Sequence, residues 1–144
     1  MKKSTRNIRY LVVHCSATPE GRDHTAKDIA LWHKQRGFNE IGYNYIVQLD
    51  GTIESGRDVN KIPAHVTNHN KDSIGICYIG GIDKNTLQPK DTRTPAQKEA
   101  LKKLLKELKT LYPEAQILGH RDFPGVAKAC PCFNVKEEYK TIGK

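Results

Sequence analysis

The sequence lacks any apolar run long enough to cross a membrane. A spanning helix needs about 20 consecutive, mostly apolar residues, and no such run occurs among the 144 residues of the chain. The N-terminus has the positive charge of a signal peptide, but the apolar segment 8–13 behind it is too short, and Arg9 interrupts it. We therefore expect no membrane span, no export signal and a cytoplasmic location in the producing cell.

The chain also lacks the paired Cys-x-x-Cys hooks of structural zinc modules. Its cysteines are Cys15, Cys77, Cys130 and Cys132. Without an export signal, free thiols or metal ligands are favoured over disulfides. The Cys-x-Cys spacing of the last two is also awkward for a mutual disulfide, whose geometry is restrictive. A disulfide framework is therefore not expected.

Acidic residues are few beside the basic ones, 16 against 24, which gives a net charge of +8. Such a charge implies affinity for a polyanion. Nucleic acids and anionic cell-envelope polymers satisfy the same electrostatics, so charge alone does not choose between them. Because aromatic residues are not interleaved with a basic stripe, we expect no nucleic-acid partner.

Internal repeats, low-complexity tracts and long linkers are absent as well, so the length predicts one domain. We divide the chain into a basic N-terminal tail, 1–7, and a catalytic domain, 8–144. Strand-like and helix-like apolar patterns follow one another and predict a mixed α/β fold. The predicted strands are 8–13, 44–49, 52–55, 73–79 and 115–118, and the predicted helices are 26–36, a segment from Pro95 to Tyr112, and 135–140.

Local signals support several of these elements. The segments Thr25–Asp28 and Thr94–Gln97 have the pattern of a capping box at a helix start. The pair Asp50–Gly51 predicts a hairpin turn. In the strand before that turn, the period-two rule places four side chains on one face: Tyr43, Tyr45, Val47 and Leu49.

Two histidines, His14 and His120, each follow an apolar run that reads as a strand. Functional side chains are common at strand ends in α/β folds, and Lys128 and Cys130 lie on the loop after His120. Zinc favours imidazole and thiolate ligands, and three protein ligands leave a fourth position for water. The pattern predicts a catalytic zinc at His14, His120 and Cys130, with Lys128 stabilising an anionic intermediate.

Other interpretations of these residues stay open. A histidine after a strand is commonly a hydrogen-bonded structural residue, and a buried cysteine behaves as a small apolar side chain. Cys132 is an alternative third ligand to Cys130. A closed structural site formed by both histidines and both cysteines would leave no position for water.

Short motifs in a fixed order extend the pattern beyond these ligands and span about Ile8 to Phe133. In their order and spacing they resemble the zinc-dependent N-acetylmuramoyl-L-alanine amidases, a family that includes phage endolysins and peptidoglycan recognition proteins. The motifs are VHCSAT (13–18), WH (32–33), GYNY (42–45), DGTI (50–53), GR (56–57), SIGI (73–76), GG (80–81), TPAQ (94–97), GHRD (119–122) and KACP (128–131).

The resemblance implies a mixed central sheet flanked by helices and one zinc ion per chain. It implies hydrolysis of the amide between N-acetylmuramic acid and the L-alanine of the stem peptide. By motif, the ligands carry over to His14, His120 and Cys130, and the assisting residues to Tyr43 and Lys128. Two positions depart from the pattern of the family. Asn44 stands where a histidine is common, and Cys132 stands where a glycine or a serine is common.

The resemblance also suggests a phage or prophage endolysin that acts on bacterial peptidoglycan after release from the cytoplasm. The positive charge would help adsorption to anionic envelope polymers, and we expect a monomer. The alternative is a peptidoglycan-binding module of the same fold without catalysis. Such relatives typically lack a zinc ligand, usually the cysteine, whereas this chain retains all three.

Substrate contacts are predicted in the irregular segment 58–71 and just before it. His65 and Asn68 could line the substrate groove, and Arg57 could bind the carboxylate of the stem peptide. The alternatives are a loop stabilised by its own polar side chains and a structural salt bridge of the arginine.

Overall fold

The structure is a computed structural model, and it describes residues 3–66, 68–126 and 128–143. Its strands are β1 (Tyr10–Cys15), β2 (Thr18–Pro19), β3 (Tyr45–Val47), β4 (Ile53–Ser55), β5 (Ser73–Tyr78), β6 (Gly81–Ile82) and β7 (Gln116–Gly119). Its helices are α1 (Ala26–Gln35), α2 (Pro95–Leu111) and α3 (Val135–Glu138), and a 3₁₀ turn covers His120–Asp122.

The main sheet has the strand order β4-β3-β5-β1-β7 within the described residues. Strands β3, β5, β1 and β7 are parallel, and β4 pairs antiparallel with β3 across the predicted hairpin. Strands β2 and β6 form a small parallel pair beside it. This architecture confirms the predicted mixed central sheet flanked by helices.

The two faces of the sheet pack differently, as strand β1 shows. Leu11 and Val13 belong to the larger core cluster, which contains the apolar stripe of α2. Val12 points to the opposite face, where it packs with Val66 and Phe123. Because side chains alternate along a strand, His14 lies on the same face as Val12, away from α2.

Helix α2 covers one face because its sequence encodes both a start and an apolar stripe. The Thr94 hydroxyl accepts the Gln97 N–H, and the Gln97 side chain accepts the Thr94 N–H, which completes the predicted capping box. The stripe that α2 buries consists of Leu101, Leu104, Leu105 and Leu108.

Within the described residues, no helix has the length and apolar character needed to cross a bilayer.

The prediction that Tyr43, Tyr45, Val47 and Leu49 share one face is wrong. Tyr45 and Val47 pack in the α2 cluster, whereas Tyr43 and Leu49 pack in the cluster on the other face with Ile46. The reason is that β3 covers only Tyr45–Val47, so the alternation of a regular strand does not extend to the flanking residues.

The boundaries at the N-terminal end also differ from the predicted ones. Strand β1 begins two residues later than expected and includes His14 and Cys15. Within the predicted tail, Ser4 is buried: its hydroxyl donates to the Val59 carbonyl and its N–H to the Tyr112 hydroxyl, both at 2.6 Å. At this position the chain is therefore packed against the domain.

Candidate metal centre

Two neighbouring parallel strands bring His14 and His120 together. Val13 of β1 pairs in register with Gly119 of β7, so the next residue of each chain segment is a histidine at the same edge of the sheet. The centres of the two rings lie 4.5 Å apart. His14 is 2% exposed, and His120 is partly buried.

Cys130 reaches this edge on the loop that follows the 3₁₀ turn. The loop folds back because the Arg121 N–H donates to the Cys130 carbonyl at 3.0 Å. The Cys15 N–H donates to the Cys130 sulfur at 3.2 Å. Gly119 permits the close crossing, since a Cβ atom there would lie 2.9 Å from Cδ of Pro131.

The donor atoms of His14, His120 and Cys130 all lie within 4.8 Å of one another. Nδ1 of His14 is 3.9 Å from the Cys130 sulfur. Nitrogen and sulfur ligands on one tetrahedral zinc lie roughly 3.5 Å apart, given bonds of about 2.0 and 2.3 Å. The three residues could therefore hold a zinc ion.

The surroundings keep both imidazoles in the neutral form that binds a metal. Burial lowers the pKa of His14 well below its usual range, and the nearby His65, His120 and Lys128 lower it further. Burial also lowers the pKa of His120, with a second contribution from the charge of Lys128. Lys128 is exposed, and its ammonium acts on both histidines.

Cys132, the alternative ligand, faces away from this cluster. Its thiol donates to the Gly81 carbonyl at 3.4 Å and lies 4.0 Å from the Cys15 sulfur. Burial and the neighbouring Cys15 raise the pKa of Cys132 to about 11. Among the residues that the structure describes, the metal-ligand group contains Cys130 and not Cys132.

Tyr43 lies beside the cluster on the segment between α1 and β3. Its ring centre is 5.0 Å from that of His14 and 5.3 Å from that of His33. His33 is buried, and its Nδ1 accepts the Gly42 N–H at 2.8 Å. This bond fixes the backbone next to Tyr43. Burial raises the pKa of Tyr43 well above its usual range, and the nearby thiols of Cys77, Cys130 and Cys15 raise it further.

The structure places the three predicted substrate-binding residues in different settings. The Arg57 guanidinium donates to the backbone carbonyls of Ile41, Ile62 and Glu40, and these bonds tie together the backbone around it. Asn68 is exposed, with a φ of 72°.

The third, His65, lies against the cluster, and both of its ring nitrogens have protein partners: His14 and Ser73, each at 2.7 Å. Burial lowers the pKa of His65 to about 3, with further contributions from His120 and two arginines. The sequence carried no signal for the part played by Ser73. A glycine inside the otherwise apolar strand that begins at Ser73, Gly75, was the one unusual residue that the sequence showed there.

Fold and site together define an α/β protein whose strand ends bring together three side chains that could hold a metal ion, a ligand set of the kind that zinc hydrolases use. Residues 4–133 match the N-acetylmuramoyl-L-alanine amidase family, and the chain belongs to this family. The resemblance drawn from the motifs is thereby confirmed.

Relatives of known description agree with this assignment. The chain is 43% identical over 126 residues to the endolysin of Klebsiella phage KP32, covering 88% of this chain and 82% of that protein. It is 38% identical over 134 residues to the endolysin of Escherichia phage T7, and the match covers 93% of this chain and 87% of that protein. Among solved structures it is similar to the N-acetylmuramoyl-L-alanine amidase LysC from Clostridium intestinale URNW, with a TM-score of 0.75 and 26% identity. That match covers 97% of this chain and 93% of the solved chain.

Proposed function

We propose that this protein is an endolysin-type amidase that hydrolyses the bond between the lactyl group of N-acetylmuramic acid and the L-alanine of the stem peptide. The observation that carries the proposal is the convergence of His14, His120 and Cys130 at one edge of the sheet. Family membership supports the reaction, and the similarity to phage endolysins supports the biological role.

One zinc ion per chain is the cofactor that this donor set favours, held by His14, His120 and Cys130. When bound, zinc would lower the pKa of a coordinated water to about 7 and polarise the scissile carbonyl. The protein contributes neutral imidazoles, a sulfur that accepts the Cys15 N–H, and a partly buried setting. A non-catalytic binding module is disfavoured because the ligand set is complete.

Lys128 is proposed to stabilise the negative charge that develops on the carbonyl oxygen. Its charge already acts on His14 and His120, and it is exposed, so it can reach a substrate at the mouth of the site. A fixed positive charge beside a developing oxyanion lowers the barrier most when water is excluded by the substrate.

Tyr43 is proposed to orient the attacking water or the substrate by hydrogen bonding. A phenol is protonated at neutral pH, and burial raises the pKa of Tyr43 further, so its hydroxyl can donate a hydrogen bond to the water or the substrate. The tilted contact with the His14 ring keeps this side chain next to the metal position.

Peptidoglycan is the proposed substrate and partner, and the net charge of +8 would assist adsorption to anionic envelope polymers. Action on the wall after release from the producing cell follows from the endolysin role. Substrate contact by His65, Asn68 and Arg57 and the monomeric state stay predictions.

The proposal is tested by mass spectrometry of purified peptidoglycan after incubation with the protein, with and without a zinc chelator. We expect free stem peptides that begin at L-alanine, together with intact glycan strands, only without chelator. Cleaved glycan strands would overturn the reaction. No product from protein shown to hold zinc would instead favour the binding module.

A further inference from the structure

We infer that His65 is a positioning residue that holds the metal ligand His14 in one ring orientation and one tautomer. This inference rests on the metal site of the proposed function and adds a residue to it. The observation that carries it is a chain of two hydrogen bonds, Ser73–His65–His14, each 2.7 Å long.

A metal bound to His14 would fix the protons along this chain of hydrogen bonds. Nδ1 of His14 faces the Cys130 sulfur, so Nδ1 is the nitrogen that meets the metal. A metal-bound nitrogen carries no proton, and therefore Nε2 of His14 carries it and donates to Nδ1 of His65. The proton of neutral His65 then lies on Nε2, which donates to the Ser73 hydroxyl.

The Ser73 hydroxyl can accept from this tautomer of His65, since a hydroxyl both donates and accepts hydrogen bonds. If the proton of His65 sat on Nδ1, two N–H groups would face each other across 2.7 Å, and the bond to His14 would be lost. Ser73 is fully buried at the start of β5, so solvent does not compete for the contact between its hydroxyl and His65.

The ring of His65 sits in a slot that the backbone has left open. A Cβ atom on Gly75 would lie 3.0 Å from Nδ1 and 3.1 Å from Cγ of His65, which is closer than ordinary contacts. The loop that carries the ring is closed by Asn70, whose side-chain oxygen accepts the N–H groups of His65 and Val66 at 2.9 Å each. The slot beside Gly75, the buried Ser73 hydroxyl and the closed loop together hold the ring against His14.

The chemical nature of this partner matters for the metal. Metal-binding histidines commonly donate their second N–H to a carboxylate or a carbonyl. Here the partner of His14 is the imidazole of His65, which brings no carboxylate charge to the site. One thiolate would then be the only negative ligand of a divalent ion, and the site would retain a net positive charge.

The test is the zinc affinity of folded variants, measured by competition with a chromophoric chelator. His65→Phe keeps a ring in the slot but removes both nitrogens, and we expect affinity about 10- to 100-fold weaker. His65→Asn places an amide oxygen near the position of Nδ1 and should recover part of that loss. His24→Phe is the matched control: it makes the same change on a loop histidine that contacts Trp32 and Asp28, and zinc affinity should not change.

A spectroscopic measurement separates positioning from general stability. In the zinc-loaded protein, ¹⁵N NMR should show the His14 ring with a protonated Nε2 that exchanges slowly with water. In His65→Phe that proton should exchange faster, while the amide spectrum away from the site stays unchanged.

Each outcome decides the inference. A folded His65→Phe variant with the zinc affinity of the wild type would overturn it and leave the proposed function intact. If that variant does not fold, Ser73→Ala takes its place, with weaker zinc binding expected and unchanged binding overturning the inference. Wild-type protein that binds no zinc would overturn the proposed function, and this inference with it.

Discussion

Arg93 ties the C-terminal segment to the domain, and replacing it by methionine should destabilise the protein. Its side chain is 1% exposed and donates to both carboxylate oxygens of Asp91 at 2.9 Å and to Glu138. The guanidinium also lies 3.4 Å from the centre of the Phe133 ring. Because Phe133 comes three residues after the proposed ligand Cys130, these contacts also anchor the end of the loop that carries Cys130.

The size of the effect follows from the burial of the partners. Removing one member of a buried ion pair typically costs about 3–5 kcal/mol. The side chains of Asp91 and Glu138 are 33% and 40% exposed, so both carboxylates regain water when Arg93 is lost. We therefore take the lower end, about 3 kcal/mol. For a domain of this size that corresponds to a fall in Tm of roughly 6–12 °C.

The assay is urea unfolding followed by circular dichroism, with Arg36→Met as the matched control. Arg36 also lies over an aromatic ring, that of Phe38, but at 5.6 Å and in solvent. An exposed pair of this kind contributes at most about 1 kcal/mol. If Arg93→Met lost no more stability than Arg36→Met, the reasoning from burial would be refuted.

The pH dependence gives the same prediction a second check. Hydrogen bonds from Arg93 hold the pKa of the Glu138 carboxyl below its usual range. A carboxyl with a lowered folded-state pKa stabilises the protein above its unfolded pKa of about 4.3, and that contribution disappears as the pH falls through the folded value. The stability difference between wild type and Arg93→Met should be full at pH 7 and should narrow below about pH 4. A constant difference would contradict the ion-pair explanation.

The remaining predictions concern the metal centre. Lys128→Ala and Tyr43→Phe should each retain about one zinc per chain but lower kcat on peptidoglycan, by about 10²–10³-fold for the lysine; loss of zinc by metal analysis would contradict their assigned roles. Cys130→Ser should lose zinc and activity, because its sulfur belongs to the ligand cluster. Cys132→Ser should keep both, since its thiol faces Gly81; the reverse result would exchange the two cysteines.

Local interactions explain what was predicted well. Both capping boxes form as expected, at Thr25 and at Thr94, because a cap needs only groups within one helical turn. The buried strands and the stripe of α2 follow from periodicity, which a sequence displays directly. The place of His14 and His120 at strand ends has the same origin, although His14 proved to be the penultimate residue of β1 and not the residue after it.

Contacts between distant segments explain what was missed. His65 and His14 are 51 residues apart, and the segment around His65 has no periodicity that would place its side chains. Tyr43 and Leu49 escaped the period-two rule because β3 is only three residues long. Arg57 binds carbonyls that become neighbours only after the chain has folded.

The sequence by itself determined the helix starts, the apolar faces, the family and the set of residues that could bind a metal, because each depends on residue type and near spacing. Only the tertiary structure decided which of these residues meet. Parallel pairing of β1 with β7 set His14 beside His120, and the folded loop turned Cys130 toward them and Cys132 away. Cys130 and Cys132 are only two residues apart on one loop, so their spacing in the sequence does not distinguish them. Which thiol points toward the two histidines depends on how the folded chain packs.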